Sequence, residues 1–172
     1  LNTIIYNTIN ASSKGSKGIY SLYTANSINI TSNTIYSNKA SISMVANSST
    51  ITSNIITAFG TMPAIDLASS NSNNIADNTI TTSGTYAAGL EISGSTSNNV
   101  TDNTITTSGT DAYGIYLLNS DNNKLYNTTI NATQDSDVYI RGTNDYTNYL
   151  ITCTFNKSDV GCYSGTETDK IE

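Results

Sequence analysis

Apolar residues recur along this chain in short alternating runs rather than at helical spacing. The commonest run is an apolar residue, two polar residues, Asn, one further residue and a second apolar residue. Its copies begin at Ile4, Ile30, Ile51, Ile75 and Val100, and two looser copies begin at Leu125 and Leu150. Alternation of this kind predicts strands that bury one face.

The run returns at nearly constant spacing, with steps of 26, 21, 24, 25, 25 and 25 residues between copies. The similarity is greatest between residues 74–92 and 99–117, where 12 of 19 positions are identical at an offset of 25. A second alternating strand, such as Leu90-x-Ile92 or Ile115-x-Leu117, keeps the same period. A fixed period in this range is the signature of a repeat architecture.

The repeat predicts an all-β fold. Two or three short strands per unit, separated by Asn, Ser and Gly, indicate a right-handed parallel β-helix (a single β-solenoid) of about seven coils with about 25 residues each. Successive coils would lie about 4.8 Å apart, which gives a rod on the order of 30 Å long. We expect one domain over residues 1–172, with its last coil at about 150–163 and a core of Ile, Val, Leu and Phe.

An asparagine recurs at the fourth position of the run. The five are Asn7, Asn33, Asn54, Asn78 and Asn103. We expect each to occupy a turn between two sheets, because Asn tolerates the left-handed backbone region better than other non-glycine residues. Stacked in register, their amides would form a hydrogen-bonded ladder and avoid about 1–3 kcal/mol for each unpaired buried amide. We therefore interpret these asparagines as structural rather than ligand-binding.

The strings NNIADNTI (73–80) and NNVTDNTI (98–105), followed by GLEI and GIYL, resemble the repeats of a known family. They are similar to the parallel β-helix repeats of NosD-like proteins and of carbohydrate-binding and sugar-hydrolase-type proteins, within the pectate-lyase-like superfold. The resemblance covers nearly the whole chain and implies the fold. It leaves the activity open, because the same coil carries lyases, hydrolases, tail spikes, adhesins and surface fibres.

The two cysteines fall in the last coil, where Cys153 replaces the ladder asparagine and Cys162 replaces an inward apolar residue. We predict a disulfide between them, on condition that their Cα atoms lie about 4.4–6.8 Å apart. Such a bridge would staple the last coil and indicate an oxidising, extracellular location. A pair of buried thiols is the alternative.

The ends of the chain differ from its middle. Leu1 begins a core strand directly, and residues 164–172 are short and polar. Repeat proteins normally need polar caps. We expect a piece of a longer solenoid, ends covered by neighbouring copies stacked end to end, or loops that fold over the ends.

One outward column of the second strand carries the candidate ligand residues, which are Asp66, Glu91, Tyr116 and Tyr139. Two carboxylates on adjacent coils can bind a cation or act as an acid/base pair on a sugar, and tyrosines can stack on a sugar ring. The alternative is a solvated face. The chain has no His and no Gly-x-Ser-x-Gly, and Arg141 is its only arginine. We therefore predict no catalytic residues, no metal, no cofactor and no enzymatic activity.

Two further patterns have ordinary structural explanations. Asp77 and Asp102 precede ladder asparagines; calcium between coils is one hypothesis, but turn capping is the simpler one. A threonine column follows the ladder, with Thr79-x-Thr81 and Thr104-x-Thr106 on consecutive coils. It resembles the face of ice-binding solenoids, although its flanking column is irregular, and threonine pairs are common on sheet surfaces.

The charge limits the partners. A net charge of −6 disfavours nucleic acid and anionic membranes, and no apolar run approaches the ~20 residues of a membrane span. Seven Asn-x-Ser/Thr triplets are candidate N-glycosylation sites in a secreted protein, and Asn10, Asn131 and Asn156 should face outward. The seven asparagines are Asn10, Asn29, Asn47, Asn99, Asn127, Asn131 and Asn156.

These observations favour an extracellular or cell-surface structural solenoid, a filament subunit that self-associates end to end. The alternative function is binding of, or action on, carbohydrate through the Asp66 and Glu91 column. Ice binding is a remote third hypothesis.

Overall fold

The computed structural model describes the backbone of residues 2–21, 25–142, 147–155, 160–163 and 170–171, and side chains as far as residue 155. Every regular element in these residues is a β-strand, and every strand pairing is parallel. The search of this part of the chain for a helix long and apolar enough to cross a membrane found none.

Three parallel sheets run along the molecule, with strands numbered in chain order. The first sheet contains β1 (Asn2–Ile5), β5 (Ile28–Thr31), β9 (Thr50–Thr52), β12 (Asn74–Ala76), β15 (Asn99–Thr101), β18 (Lys124–Tyr126), β21 (Tyr149–Ile151) and β24 (Lys170–Ile171). The second sheet contains β2 (Thr8–Ala11), β6 (Thr34–Ser37), β10 (Ile55–Ala58), β13 (Thr79–Thr82), β16 (Thr104–Thr107), β19 (Thr129–Ala132) and β22 (Thr154–Phe155).

The third sheet contains β3 (Ile19–Tyr20), β7 (Ile42–Met44), β11 (Ile65–Ala68), β14 (Leu90–Ser93), β17 (Ile115–Leu118), β20 (Val138–Arg141) and β23 (Val160–Tyr163). A short pair, β4 (Ala25–Asn26) and β8 (Ala46–Asn47), lies between the third and first sheets of the early coils. Within each sheet the neighbours come from successive coils, as in β9, β12 and β15. The described strands therefore form about seven coils of a parallel solenoid, and the predicted fold is confirmed.

Stacked aliphatic side chains fill the interior. Ile75 pairs with Val100 in the first sheet, and Ile80 pairs with Ile105 in the second. All four side chains are almost completely buried. Burying one such side chain stabilises the fold by about 1.5–3 kcal/mol relative to exposure. Because strand side chains alternate between faces, this inward register also fixes which residues point outward.

The five predicted asparagines stack at the corner between the first and second sheets, which we call the first corner. Asn78 Oδ1 accepts hydrogen bonds from both the backbone N–H and the side-chain Nδ2 of Asn54, each at 3.0 Å. Asn54 Nδ2 also donates to the Ile30 carbonyl one coil earlier, at 2.9 Å. Each buried amide is thus paired with the coils on both sides. Asn7 is the exposed first member.

The bend at the first corner is made one residue earlier than the sequence indicated. The residue before each corner position has φ between 47° and 58°; these residues are Tyr6, Ser32, Ser53, Asp77, Asp102, Asn127 and Thr152. The expectation of a left-handed ladder asparagine is therefore wrong. The left-handed residue projects outward while its N–H still pairs with the next coil, as Asp77 does with the Thr101 carbonyl at 3.2 Å. The following asparagine can then turn its side chain inward.

Two further ladders lie in the connection from the third sheet to the first sheet. Ser70 and Ser95 leave the third sheet, and the Ser70 N–H donates to Ser95 Oγ at 2.8 Å. Asn73 and Asn98 enter the first sheet, and Asn98 Oδ1 accepts from the N–H and Nδ2 of Asn73 at 2.9 and 3.0 Å. The second asparagine ladder comprises Asn73, Asn98, Asn123 and Asn148. All four side chains are buried.

The neighbouring residues Asn98 and Asn99 provide a matched test of this ladder. In Asn98→Ala, the backbone N–H and Nδ2 of Asn73 lose their acceptor, which is Asn98 Oδ1. The Ser70 carbonyl loses the hydrogen bond that Asn98 Nδ2 donates. We expect the free energy of unfolding to fall by about 2–4 kcal/mol, because buried groups lose their partners. Asn99 is exposed, so Asn99→Ala should change it by less than about 0.5 kcal/mol. Urea denaturation measures both; equal losses would contradict the ladder's role.

Candidate functional site

The outward face of the third sheet brings the predicted ligand residues together. We call this surface the third-sheet face. In register along the axis it presents Tyr20, Ser43, Asp66, Glu91, Tyr116 and Tyr139. The five steps from Tyr20 to Tyr139 span about 24 Å at the usual strand spacing. Residues that are one coil apart in the sequence thus lie side by side and form a continuous polar and aromatic strip.

The centre of the third-sheet face is acidic. Ser43 Oγ donates to Asp66 Oδ2 at 2.9 Å, which orients the Asp66 carboxylate. Partial burial, and secondly the negative charge of Asp66, raise the pKa of the Glu91 carboxyl. Glu91 consequently keeps its proton to higher pH than a free glutamate. The pair therefore offers hydrogen-bond acceptors beside a carboxyl group that protonates readily.

Three tyrosines form a cluster at one end of the face. Tyr113 and Tyr139 stack with their ring centroids 4.5 Å apart and an interplanar angle of 11°. Tyr116 lies 5.5 Å from Tyr113 and 5.6 Å from Tyr139, with tilted rings. We call Tyr113, Tyr116 and Tyr139 the tyrosine cluster. Stacked and tilted ring pairs of this kind stabilise one another. All three tyrosines are half-buried, so part of each remains accessible to solvent.

Tyr113 was not among the residues predicted from the sequence. It lies in the loop between β16 and β17 rather than in the repeating column, and the position 25 residues earlier is Ala88. The only available signal was its spacing of three from Tyr116. Burial and the charge of Asp135, with further contributions from its surroundings, raise the pKa of the Tyr113 phenol. The phenol therefore remains a neutral hydrogen-bond donor.

The opposite end of the third-sheet face carries a cation. The Lys17 ammonium lies 3.7 Å from the centroid of the Tyr20 ring, which is a cation–π contact. Lys17 Nζ also donates to Ser43 Oγ at 3.5 Å. The face therefore runs from a cation, through two acids, to an aromatic cluster.

The predicted disulfide is absent, because Cys153 is a free thiol. Cys153 lies at the first corner between β21 and β22, and its Sγ donates to the Ile151 carbonyl at 3.7 Å. Cys162 belongs to β23 in a different sheet, in register with Ile140, and its side chain lies outside the described residues. Partial burial raises the pKa of the Cys153 thiol.

Asp77 and Asp102 are exposed corner residues, and Asp102 Oδ1 accepts a hydrogen bond from Asn127 Nδ2 at 2.5 Å. The search of the described residues found no group of three or more His, Cys, Asp or Glu placed to hold a metal ion.

The candidate glycosylation sites differ in their exposure. Asn10, Asn99 and Asn127 are exposed. Asn29, Asn47 and Asn131 are half-buried. Asn156 lies outside the described residues. Exposure makes the first three the better acceptors, and their modification stays a prediction.

The threonine column lies on the outer face of the second sheet. Thr79, Thr104 and Thr129 are in register on consecutive coils. Ile55 interrupts the column and is 54 % exposed. Tyr36 stands in the neighbouring column, so the surface is not a uniform array of threonines.

Replacing Asp66 separates the two causes of the raised Glu91 pKa. Asp66→Asn keeps an acceptor for Ser43 but removes the charge, so the Glu91 pKa should fall. It should remain above its usual range, because burial is the larger cause. NMR titration of the Glu91 carboxyl measures both effects. An unchanged pKa in the variant would contradict the proximity of the two acids.

The same shift predicts a pH-dependent stability. Because the folded state favours protonated Glu91, its stabilising contribution is present below the unfolded pKa and is lost as pH rises through the folded pKa. Glu91→Gln should therefore be more stable than the parent at neutral pH, and the difference should vanish in acid.

Comparison with protein families agrees with the architecture. A family model described as a right-handed β-helix region matches residues 17–171. No curated protein matches the chain. Since the matched segment covers most of the sequence and the structure forms the corresponding parallel coil, the chain belongs to the right-handed β-helix family.

Proposed function

We propose that the third-sheet face is a carbohydrate-binding surface of an extracellular or cell-surface β-helix. The observation that carries the proposal is the tyrosine cluster, in which Tyr113 and Tyr139 stack beside Tyr116 at one end of a polar strip. Carbohydrate sites combine aromatic rings, which cover the C–H faces of sugars, with a few polar groups that bind hydroxyls.

The polar residues suit the same ligand. Asp66 and Glu91 supply acceptors for sugar hydroxyls, and the tyrosine phenols supply donors. The Ser43 hydrogen bond holds Asp66 in place, so little side-chain order must be gained on binding. These groups therefore favour binding of a neutral sugar chain.

The geometry also indicates how the ligand would lie. Side chains repeat along the axis about every 4.8 Å, which is close to the length of one hexose in an extended glycan. A glycan laid parallel to the axis would place successive sugars on Tyr139, Tyr116, Glu91 and Asp66. The proposed ligand is thus an extended oligosaccharide rather than a single sugar.

Removing rings from the tyrosine cluster tests the proposal. On a glycan array, followed by titration calorimetry with the best ligand, Tyr116→Ala and Tyr139→Ala should each weaken binding about tenfold, or about 1.4 kcal/mol. Tyr126→Ala is the matched control, because Tyr126 is 47 % exposed on the first sheet. Unchanged affinity in both cluster variants, or an equal loss in the control, would refute the assignment.

End-to-end assembly into filaments is the second candidate function, and one observation favours it. Residues 1–65 contain three lysines and no acid, for a charge of +3, while residues 66–172 contain four basic and thirteen acidic residues, for −9. Together these make the net charge of −6. Opposite charges at the two ends would attract copies head to tail.

Salt dependence tests the assembly. Sedimentation velocity at low ionic strength should show concentration-dependent oligomers that dissociate in about 0.5 M salt, because screening lengths fall to a few ångströms. Electron microscopy should show rods longer than one molecule. Monomers at every salt and protein concentration would eliminate this candidate.

A further inference from the structure

The loops between the second and third sheets form a groove on the first three coils. Its walls come from residues 12–15, 38–39 and 60–61 on successive coils. Its polar lining consists of Ser12, Lys14, Asn38, Lys39 and Thr61. We call this surface the lysine groove. It is separate from the acids and the tyrosine cluster of the third-sheet face.

Backbone contacts hold the groove in shape. The Gly15 N–H donates to Asn38 Oδ1 at 2.9 Å, and the Lys39 N–H donates to the Ser16 carbonyl at 3.0 Å. At Gly60 the backbone of the third coil comes so close to the second that a Cβ would lie 1.7 Å from the Asn38 carbonyl oxygen. The loops therefore stack directly on one another, and the groove is built into the coil.

The two lysines of the groove stand on neighbouring coils. A Cβ placed on Gly15 would lie 4.0 Å from Lys39 Cε, so the Lys39 side chain runs close to the residue that follows Lys14. Both lysines are exposed. Neither has a carboxylate partner in the part of the chain that the structure describes. Their positive charges are consequently available to a ligand.

The surrounding sequence does not neutralise these charges. No acidic residue occurs before Asp66, whereas every coil after it carries at least one. The molecule is acidic elsewhere, so this positive groove is the place where small anions are concentrated at its surface. The local charge therefore singles out this groove from the rest of the surface.

We propose that the lysine groove binds a tetrahedral oxyanion, namely a sulfate or phosphate group. Lysine ammoniums are compact point charges that commonly bind phosphate groups. The Ser12 and Thr61 hydroxyls and the Asn38 side-chain N–H groups supply uncharged donors to the remaining oxygens. The site thus combines two cations with three neutral donors.

A third lysine, outside the groove lining, lies at the near end of the third-sheet face. Lys17 follows Lys14 by three residues, and its Nζ reaches Ser43 Oγ on that face at 3.5 Å. The oxyanion is either a free ion or an ester substituent on a polymer. A free ion and a polymer ester would make the same contacts with the lysine groove. Testing free ions and a sulfated polymer as separate probes distinguishes the two sources.

A charge-matched pair of variants tests the proposal on the whole chain. Titration calorimetry uses sodium sulfate, sodium phosphate, dextran sulfate and uncharged dextran. The Lys14→Gln, Lys39→Gln variant should lose about tenfold or more of its affinity for the sulfated or phosphate probes. The control, Lys124→Gln with Arg141→Gln, removes the same charge from exposed positions elsewhere and should lose less than about twofold.

The outcomes separate the two sources. Binding of dextran sulfate alone identifies an ester on a polymer, and binding of free sulfate or phosphate identifies a small-ion site. Either result supports the proposal if the lysine variant weakens that binding about tenfold or more. Absence of binding by every anionic probe overturns it, as does an equal loss in the control. Tyr116 and Tyr139 remain intact in these variants, so failure here leaves the carbohydrate surface untouched.

Discussion

The hydrogen bonding of buried corner amides between coils is the constraint on which the rest of this structure depends. A solenoid must turn its backbone three times per coil, and each turn places polar groups against an apolar interior. Unpaired, each would cost about 1–3 kcal/mol. Asn78 shows the solution, since it accepts two hydrogen bonds from one neighbouring coil and gives one to the Ile51 carbonyl. The corners can therefore be buried.

The ladders also set the register of everything outside them. A coil that slipped by one residue would remove its asparagine from the corner and turn its isoleucines outward. The core and the corners both fix the register, so outward residues at equivalent positions of successive coils lie directly above one another. Asp66 and Glu91 meet for this reason, as do Tyr116 and Tyr139. The third-sheet face is thus a consequence of the period.

Periodic features were predictable from the sequence, and aperiodic ones were not. The alternation at Ile75 and Ile80 gave the strands, their inward faces and the outward columns. The left-handed residue was misplaced by one position because Asp77 and Asn78 both suit such a turn. The ladder through Asn98 was overlooked because NN doublets resemble ordinary turn sequence. Tyr113 lies in a loop without an equivalent one coil away, and the Cys153 prediction assumed that two inward residues in different sheets would meet.

The tyrosine cluster and the lysine groove both consist of outward side chains. The buried core and the hydrogen-bonded corners hold the coil together without them. Substitution at such positions costs little stability, so one rigid coil can carry several surfaces.

Amide hydrogen exchange measures the central claim most directly. The backbone N–H groups of Asn54 and Asn98 donate only to ladder side chains, at 3.0 Å. If the ladders hold the coils together, these amides should exchange as slowly as those of core strand residues such as Ile56. Exchange as fast as that of an exposed loop residue such as Thr85 would contradict the account.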